Sequence, residues 1–273
     1  MRYTILGSSG FIGARLVTRA LGLGHDVWCP GKKDRLDAQG AGHIICCVGM
    51  TANFRGRAHQ TIDAHVTYLQ RVLQQTNFDS FTYLSSTRVY RHLTAAVAHE
   101  ESPLVVSPEN PEDIYNISKI LGENLLLQQD GCIRIARLSN VVGTDFTSGN
   151  FLSCLLQECV CRGRMHLEQS LTSVKDYVDA RFVVDALLHL GPYGRHAIYN
   201  VASGANISHE QIIDRLKELT GAEVTVSENA KRHCFPRICV ERIQQELNFK
   251  SSSVLDELPL LVKRVREHYR RAA

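Results

Sequence analysis

The chain has 273 residues, a formal net charge of +3 at pH 7, 44% hydrophobic residues and 22% charged residues. This composition is that of an ordinary globular protein and argues against disordered and membrane classes, and so small a charge gives no reason to expect a nucleic-acid partner. The length suits one large α/β domain or a nucleotide-binding domain with a small companion.

Nine cysteines, odd in number and scattered, favour reduced thiols in a cytoplasmic protein over a disulfide framework. Cys154, Cys159 and Cys161 fall within a helical pattern and form no Cys-x-x-Cys pair, so we expect no metal site. No apolar run reaches the ~18–20 residues that a membrane span needs. The composition therefore predicts a cytoplasmic protein with neither a membrane nor a nucleic-acid partner.

The chain begins with a predicted strand (residues 3–6), a glycine-rich turn and a helical pattern. Gly7 permits a tight turn, Gly10 lets backbone amides approach a pyrophosphate, and Gly13 lets the helix pack closely on the strand with its positive N-terminus facing the phosphates. A plain strand–helix turn would look similar. We interpret the turn as a dinucleotide site, whose residues are Gly7, Ser9, Gly10, Phe11, Ile12 and Gly13.

The second predicted strand, residues 25–29, ends without the acidic residue that normally holds the ribose of NAD. Lys32 and Lys33 follow and could meet the 2′-phosphate of NADP, which slightly favours NADP over NAD, although a solvated lysine pair is the plainer interpretation. Asp34 could still reach a ribose. Because only about a dozen residues precede the next strand (43–48), we expect the usual intervening helix and strand to be shortened or lost, so that the sheet lacks a full outer edge there.

Two later strands end in polar residues at the carboxyl edge of the predicted sheet, where open α/β folds bind ligands. The strand 81–84 runs into Ser86 and Thr87, and the strand 132–138 is followed by Asn140. Serines at a strand end are also common turn formers. The other predicted elements are a helix over 61–75, a polar loop over 91–113 suited to a lid, a helix over 151–161, a helix over 176–190, a returning strand over 197–202, and helices over 208–220 and 254–269.

A Tyr-x-x-x-Lys pair, Tyr115 and Lys119, opens a further predicted helix. Positions i and i+4 share one helix face, so the ammonium of Lys119 is expected beside the phenol of Tyr115. A nearby cation favours the phenolate and would lower a pKa that is ordinarily ~10. The pair is also compatible with an exposed Tyr and Lys on an amphipathic helix.

Read together, the ordered motifs of this chain resemble the extended branch of the short-chain dehydrogenase/reductase family, the NAD(P)-dependent nucleotide-sugar epimerases, dehydratases and reductases. The motifs are Gly7-x-x-Gly10-x-x-Gly13, Ser85-Ser86-x-x-Val89-Tyr90, Tyr115-x-x-x-Lys119, Arg137-x-x-Asn140-x-x-Gly143, Val174-Lys175-Asp176-Tyr177-Val178, Tyr199-Asn200-Val201 and Glu246-Leu247-Asn248-Phe249. The resemblance implies a Rossmann-type doubly wound parallel sheet with a small C-terminal α/β substrate-binding portion. It divides the chain into a dinucleotide-binding domain (1–144, completed by about 174–203) and the small portion (145–173 and 204–273), and it suggests a homodimer.

The resemblance also assigns roles. Tyr115 would be the acid/base for a sugar hydroxyl or ketone, Ser86 would hydrogen-bond the same oxygen, and Lys119 would hold the nicotinamide ribose and lower the tyrosine pKa. A fixed phenol over a fixed nicotinamide ring supplies orientation as well as proton transfer. The resemblance implies four further residues in substrate binding, Thr87, Asn140, Lys175 and Arg232. Some of these could instead be solvated or structural.

Departures from the family pattern narrow the expected reaction. Thr87 and Arg88 stand where dehydratases carry the Asp-Glu pair that eliminates water, so elimination lacks its second acid/base couple. An epimerase or a ketoreductase acting on a nucleotide-sugar is the leading hypothesis. A reductase of a non-sugar carbonyl is an alternative, and the altered segment Ala180-Arg181-Phe182 keeps open a non-catalytic NADP-binding regulatory protein.

Overall fold

The computed structural model describes residues 1–36, 40–51, 54–144, 150–247 and 250–272, so Asn248 and Phe249 of the last sequence motif lie outside the described residues. The strands in these ranges are β1 (Arg2–Leu6), β2 (Asp26–Trp28), β3 (His43–Cys46), β4 (Ser80–Ser86), β5 (Val97–Ala98), β6 (Ile133–Leu138), β7 (Asn140–Val142), β8 (Arg164–Gln169), β9 (Val174–Asp179), β10 (Ile198–Val201), β11 (Asn206–Ser208), β12 (Glu223–Lys231) and β13 (Arg237–Ile238).

The helices in the same ranges are α1 (Phe11–Gly22), α2 (Ala58–Ile62), α3 (Tyr68–Gln75), α4 (Ile114–Leu127), α5 (Phe151–Gln157), α6 (Ala180–Tyr193), α7 (His209–Thr220), α8 (Glu241–Glu246) and α9 (Val254–Ala272). A π-helical turn, Asp63–Thr67, joins α2 to α3, so the predicted helix 61–75 is one longer helical segment. A second π-helical turn, Glu158–Arg162, follows α5.

The central sheet is parallel throughout and has the strand order β10-β6-β4-β3-β1-β2 among the described residues. Neighbouring residues of one strand point to opposite faces, and both faces are apolar: Ile45 packs in one hydrophobic cluster with α1 and α6, whereas Ile44 and Cys46 pack in another with α3 and α4. A parallel sheet covered by helices on both faces is a doubly wound fold. The predicted Rossmann-type architecture is confirmed.

The outer edge of the sheet also agrees with expectation. β2 has three residues and forms one edge of the sheet, and the described residues between β2 and β3 (29–36 and 40–42) contain neither helix nor strand. Too few residues separate the two strands for a full crossover helix and a further strand.

The prediction of a helix over 176–190 is wrong in its first turn. β9 runs through Asp179, and α6 begins only at Ala180. Two carboxylates explain the boundary: the Asp176 side chain accepts the backbone N–H groups of residues 203–205, which ties β9 to a distant loop, and the Asp179 side chain caps α6 by accepting the N–H of Arg181 at 3.2 Å.

A separate hydrophobic cluster lies to one side of the central sheet and is built mainly from the later part of the chain. It gathers buried residues of α5, α7 and α9 with Met165 and Leu167 of β8 and Tyr177 of β9. The proposed domain boundaries remain a prediction, and residues 145–149 at one of them lie outside the described residues. None of the described helices is long and apolar enough to cross a membrane.

Candidate active site

The glycine turn between β1 and α1 has the geometry that a dinucleotide phosphate requires. Gly7 has a φ of 78°, and a Cβ on Gly13 would overlap the carbonyl oxygen of Gly7, so neither position tolerates a side chain without strain. Gly10 is the N-cap of α1 and offers no side-chain oxygen, and the first turn of the helix contains no acidic residue. The Gly10 N–H donates to the Gly7 carbonyl at 3.1 Å, whereas the N–H groups at the start of α1 have no partner within the helix. These amides can meet an anion, and the turn fits a dinucleotide.

The remaining residues predicted for the cofactor lie in or beside this turn. Ser9 is exposed within it, while Phe11 and Ile12 are half-buried at the start of α1. Phe11 packs against Gly143, where a Cβ would come within 3.1 Å of the Phe11 ring. The cofactor contacts of Ser9, Gly10, Phe11 and Ile12 remain predictions.

The two lysines after β2 are both exposed. Lys32 Nζ lies 2.9 Å from Asp63 Oδ2 on the π-helical turn, and Asp34 Oδ2 accepts the Gly31 N–H at 2.7 Å. Asp34 is therefore engaged in its own turn, and Lys32 is paired with a surface carboxylate. Selectivity between NADP and NAD remains a prediction.

Tyr115 and Lys119 both lie in the first half of α4 and are buried, with 6% and 4% of their surfaces exposed. The ammonium of Lys119 donates to the carbonyl oxygen of Leu84 at 2.7 Å and lies 4.7 Å from the centre of the Tyr83 ring. Burial lowers the pKa of Lys119 to about 8. α4 thus places both side chains beside the end of β4.

The predicted lowering of the Tyr115 pKa by Lys119 is not what the structure shows. Burial raises the pKa of Tyr115, and the groups that oppose this increase are the Ser86 hydroxyl, through hydrogen bonding, and the Arg88 guanidinium. Sequence spacing fixes which helix face the lysine occupies, but the ammonium is directed to the Leu84 carbonyl rather than to the phenol.

Ser86 is the last residue of β4 and is half-buried. Its hydroxyl accepts the backbone N–H of Arg88 at 3.1 Å and so caps the short helical turn Thr87–Tyr90. Thr87 is buried in that turn. Ser86 therefore forms a turn and also faces Tyr115. Its interpretation as a turn former is compatible with its interpretation as a site residue.

His65 is a residue of this site that sequence reasoning missed. It lies on the π-helical turn, is fully buried, and stands edge-on to the Tyr115 ring at 5.3 Å between ring centres. Ser118 Oγ donates to the Tyr115 carbonyl at 2.9 Å, so His65 Nδ1, 2.8 Å from Ser118 Oγ, must donate, while Nε2 accepts the Met50 N–H at 3.0 Å. Burial lowers the pKa of His65 to about 3, and the ring is neutral. One histidine in an amphipathic helix gives no sequence signal for this position.

A group of charged side chains, here called the basic cluster, lies next to Tyr115. Its members are Arg55, Arg88, Arg91, Glu112 and Lys175. The Glu112 carboxylate accepts hydrogen bonds from Arg55 Nη2 at 2.6 Å, Arg88 Nη2 at 2.9 Å and Arg91 Nη1 at 3.3 Å. These arginines, Arg55 foremost, lower the pKa of Glu112 to about 2. Three guanidinium groups around one carboxylate leave the cluster strongly positive.

Lys175 joins the basic cluster from β9, and its contact with the substrate remains a prediction. Burial, and then the charges of Arg88, Arg91 and Arg55, lower the pKa of Lys175 to about 8. Its Nζ donates to Gln169 Oε1 at 3.1 Å and lies 5.0 Å from the centre of the Phe151 ring.

The structure does not place the other two predicted substrate residues in the basic cluster. Arg232 is exposed and is not among the groups that shift the pKa of Lys175, whereas its neighbour His233 has its pKa lowered by burial and by Lys175, Arg91 and Arg88. Asn140 is exposed, and its Nδ2 donates to the Asp176 carbonyl at 2.7 Å. The substrate roles of Arg232 and Asn140 remain predictions.

Several motif residues meet in what we call the buried network. Its members are Ser85, Tyr90, Glu100, Glu123, Arg137 and Asn200. Arg137 Nη2 lies 2.6 Å from Glu123 Oε2, and Arg137 Nη1 donates to the Tyr90 hydroxyl at 2.7 Å and to the Glu100 carbonyl at 3.0 Å. The Tyr90 hydroxyl in turn donates to Asn200 Oδ1 at 2.8 Å. These residues tie β4, β6 and β10 together. Glu123 also acts on the site, because its charge opposes the decrease that burial causes in the Lys119 pKa.

Comparison with known proteins agrees with this geometry. The model of the NAD dependent epimerase/dehydratase family matches residues 3–202. The chain is 25% identical over 261 residues to a GDP-6-deoxy-D-mannose reductase from Pseudomonas aeruginosa, which covers 85% of this chain and 84% of the relative.

Solved structures with the same fold include MoeE5 in complex with UDP-glucuronic acid and NAD, with a TM-score of 0.81, 18% identity, and coverage of 98% of this chain and 100% of that one. RMD from Pseudomonas aeruginosa, complexed with NADPH, has a TM-score of 0.77, 20% identity, and coverage of 98% and 100%.

The doubly wound sheet and its glycine turn define an NAD(P)-dependent enzyme of Rossmann type. The chain belongs to the NAD dependent epimerase/dehydratase family, within the extended short-chain dehydrogenases/reductases. The resemblance inferred from the sequence motifs is confirmed.

Proposed function

We propose that the protein interconverts a hydroxyl and a ketone on a nucleotide-linked sugar, as an epimerase or a ketoreductase, with Tyr115 as the acid/base. One observation carries the proposal: Tyr115, Lys119 and Ser86 meet at the carboxyl end of β4 beside a basic cluster of three arginines and a lysine. The carboxyl edge of a parallel sheet is where doubly wound folds bind ligands, and an excess of positive charge there suits a diphosphate.

The residues of the chain divide the chemistry among them. The bound NAD(P) supplies or accepts the hydride. The Tyr115 hydroxyl gives its proton to the substrate oxygen in reduction and takes it back in oxidation, while the Ser86 hydroxyl hydrogen-bonds the same oxygen. Lys119, with a pKa of about 8, is mostly charged at neutral pH and can donate to a ribose hydroxyl as it now donates to the Leu84 carbonyl. The uncapped first turn of α1 binds the phosphates of the dinucleotide.

The basic cluster takes the substrate diphosphate in this proposal. Arg55 and Arg91 present guanidinium groups that share a single carboxylate, and Lys175 adds an ammonium from β9. The printed names of the similar proteins fit such a ligand: the Pseudomonas aeruginosa relative is a GDP-6-deoxy-D-mannose reductase, and MoeE5 was solved with UDP-glucuronic acid. Thr87, Asn140 and Arg232 are further candidates for substrate contacts.

The structure adds an argument against elimination of water. Thr87 and Arg88 follow Ser86, and the nearest carboxylate that we identify in the cluster is Glu112. Because Glu112 has a pKa of about 2, it is ionised at neutral pH and cannot serve as a general acid. Epimerisation and ketoreduction need only Tyr115, Lys119, Ser86 and the cofactor.

Substitution of Tyr115 tests the proposal. Tyr115→Phe removes only the hydroxyl, so turnover of a GDP- or UDP-linked sugar should fall by ~10²–10⁴ while NAD(P) affinity stays nearly unchanged. Tyr193→Phe is a matched control because Tyr193 is 54% exposed, and we expect full activity from it. Retention of full activity by Tyr115→Phe would refute the acid/base role.

The assay itself separates the two reactions. Net oxidation of NADPH, followed at the nicotinamide absorbance band, indicates a reductase, whereas sugar turnover with no change at that band indicates an epimerase. Native mass spectrometry of the purified protein, searched for retained NAD(P) and a nucleotide-sugar, identifies the cofactor and the substrate class. A retained cofactor with no turnover of any carbonyl would instead support a non-catalytic NADP-binding protein.

A further inference from the structure

A positive charge lies against the Tyr115 ring at a position that the sequence motifs do not assign to catalysis. The guanidinium carbon of Arg88 is 5.9 Å from the centre of the Tyr115 ring and 5.2 Å from the centre of the Phe54 ring. These distances lie within the range of cation–π contacts. The backbone N–H of Arg88 is held by Ser86 Oγ at 3.1 Å, so the same short turn fixes both side chains next to Tyr115.

The other groups around Tyr115 cannot supply this charge in the same way. Lys119 donates its ammonium to the Leu84 carbonyl at 2.7 Å and is not among the groups that oppose the rise in the Tyr115 pKa. His65, edge-on to the ring, is neutral with a pKa of about 3. Tyr83 is a buried phenol whose pKa is raised well above its ordinary value, so it also stays neutral. Burial also lowers the pKa of Arg88, but a guanidinium stays charged at neutral pH, so Arg88 is a charged group that faces Tyr115.

Glu112 does not cancel the charge of Arg88. The carboxylate also accepts from Arg55 and Arg91, so its single negative charge is shared among three guanidinium groups. The Nε of Arg88 is buried and has no hydrogen-bond partner among the described residues. The guanidinium thus has bonding capacity left beside Tyr115, of which only 6% is exposed, and a charge acts more strongly on a buried group than in bulk solvent.

We propose that Arg88 is a positioning residue that acts through Tyr115, by stabilising the phenolate left when the phenol O–H bond breaks and the proton passes to the substrate oxygen. This role rests on the proposed function of Tyr115. Arg88 itself gives up no proton and forms no bond in the step. It adds to the electrostatic task that the sequence pattern assigned to Lys119, and that lysine can also hold a ribose hydroxyl.

Three substitutions separate this role from binding of the substrate diphosphate. Arg88→Gln removes the charge that faces Tyr115. Arg88→Lys keeps a charge there. Arg91→Gln is the matched control, because Arg91 also contacts Glu112 but is not among the groups that oppose the rise in the Tyr115 pKa. Thermal unfolding of each variant identifies any that fails to fold.

The first measurement needs no substrate. NMR of protein with isotope-labelled tyrosine, with the Tyr115 resonance assigned by its loss in Tyr115→Phe, follows the titration of the phenol directly. Removal of a cation destabilises the phenolate, so Arg88→Gln should raise the Tyr115 midpoint by about 1 pH unit, the lower end of the range for a charge at this distance. Arg88→Lys should restore most of the wild-type value, and Arg91→Gln should leave it in place.

The second measurement is the pH profile of kcat. Oxidation of a hydroxyl requires ionised Tyr115, so the profile in that direction rises with pH through the pKa of Tyr115, and Arg88→Gln should move the rise to higher pH by the same amount. An unchanged midpoint with a raised KM would overturn the proposal and make Arg88 a substrate-binding residue only. An equal shift in Arg91→Gln would also overturn it, since the effect would then belong to the cluster as a whole. Failure of the proposed function is seen separately, as an active Tyr115→Phe.

Discussion

The buried network and the basic cluster are both built from arginine and glutamate, yet they differ in burial and in charge balance. Glu123 and Arg137 are about equally buried, with 4% of each side chain exposed, and the guanidinium finds a partner for each of its nitrogens. In the basic cluster 60% of the Arg55 side chain and 29% of that of Glu112 are exposed, and cations outnumber the carboxylate. Each nitrogen of the guanidinium in the first arrangement is already paired. The second has an excess of cations, as a site for an anionic ligand requires.

The comparison separates residues that signal the family from a residue that departs from the family pattern. Tyr90, Arg137 and Asn200 belong to motifs that signal the family, and all three lie in the buried network. Arg88, one of the departures from the family pattern, lies in the basic cluster, whereas the altered segment Ala180-Arg181-Phe182 begins α6. In this chain the shared residues include those that hold the sheet together, and one of the unusual residues lies where we propose that substrate binds.

The largest effect that separates the two regions should come from Arg137→Met. This substitution leaves the buried Glu123 carboxylate without its ion-pair partner, and loss of one partner of a buried ion pair costs about 3–5 kcal/mol. Chemical denaturation should show a decrease in the free energy of unfolding of that size. The double substitution Glu123→Met with Arg137→Met removes both charges and should recover part of the loss. A decrease below 1 kcal/mol in the single variant would show that the network is not the structural element described here.

Arg55→Gln tests the other region and should have the opposite profile. Arg55 is mostly exposed, so loss of its ion pair with Glu112 should lower the free energy of unfolding by no more than about 1 kcal/mol. If Arg55 donates to the substrate diphosphate, the KM should rise about tenfold, since one charge-assisted hydrogen bond is worth about that factor. Arg57→Gln on the same loop is the control, because Arg57 takes no part in the basic cluster. A large decrease in the free energy of unfolding with an unchanged KM would show that Arg55 has a structural role, as Arg137 does, and no role in substrate binding.

The parts of the fold that the sequence could predict depend on local patterns. The glycine turn follows from backbone requirements at Gly7 and Gly13, which are visible within seven residues of sequence. The parallel strands follow from short apolar runs, and the edge position of β2 follows from the short connection to β3. The helix face shared by Tyr115 and Lys119 also follows from spacing alone.

The parts that were missed or wrong depend on partners far away in the chain. The end of β9, from Asp176 to Asp179, was predicted as the start of a helix. It is a strand because Asp176 is held by the backbone of residues 203–205, which no local pattern shows. Glu112 stands at the end of a polar loop, and its arginine partners come from two other segments. The direction of the Lys119 ammonium depends on the Leu84 carbonyl, 35 residues earlier. Side-chain direction and charge balance are properties of the folded chain.

The smallest effect concerns Lys32 and Lys33, two cations that lie outside both regions. If these lysines meet the 2′-phosphate, replacing both by alanine should weaken NADP by less than about tenfold, because exposed charges are screened by salt. NAD lacks this phosphate, so its affinity should stay nearly unchanged. Asp63 already offsets part of the Lys32 charge at 2.9 Å, so Asp63→Asn should tighten NADP by a smaller factor in the opposite direction. Equilibrium titration of each variant with both dinucleotides measures these changes, with the exposed Lys217→Ala as the control. An equal loss of affinity for NAD and NADP would show that the lysines act on a part that both dinucleotides share, and it would exclude a role at the 2′-phosphate.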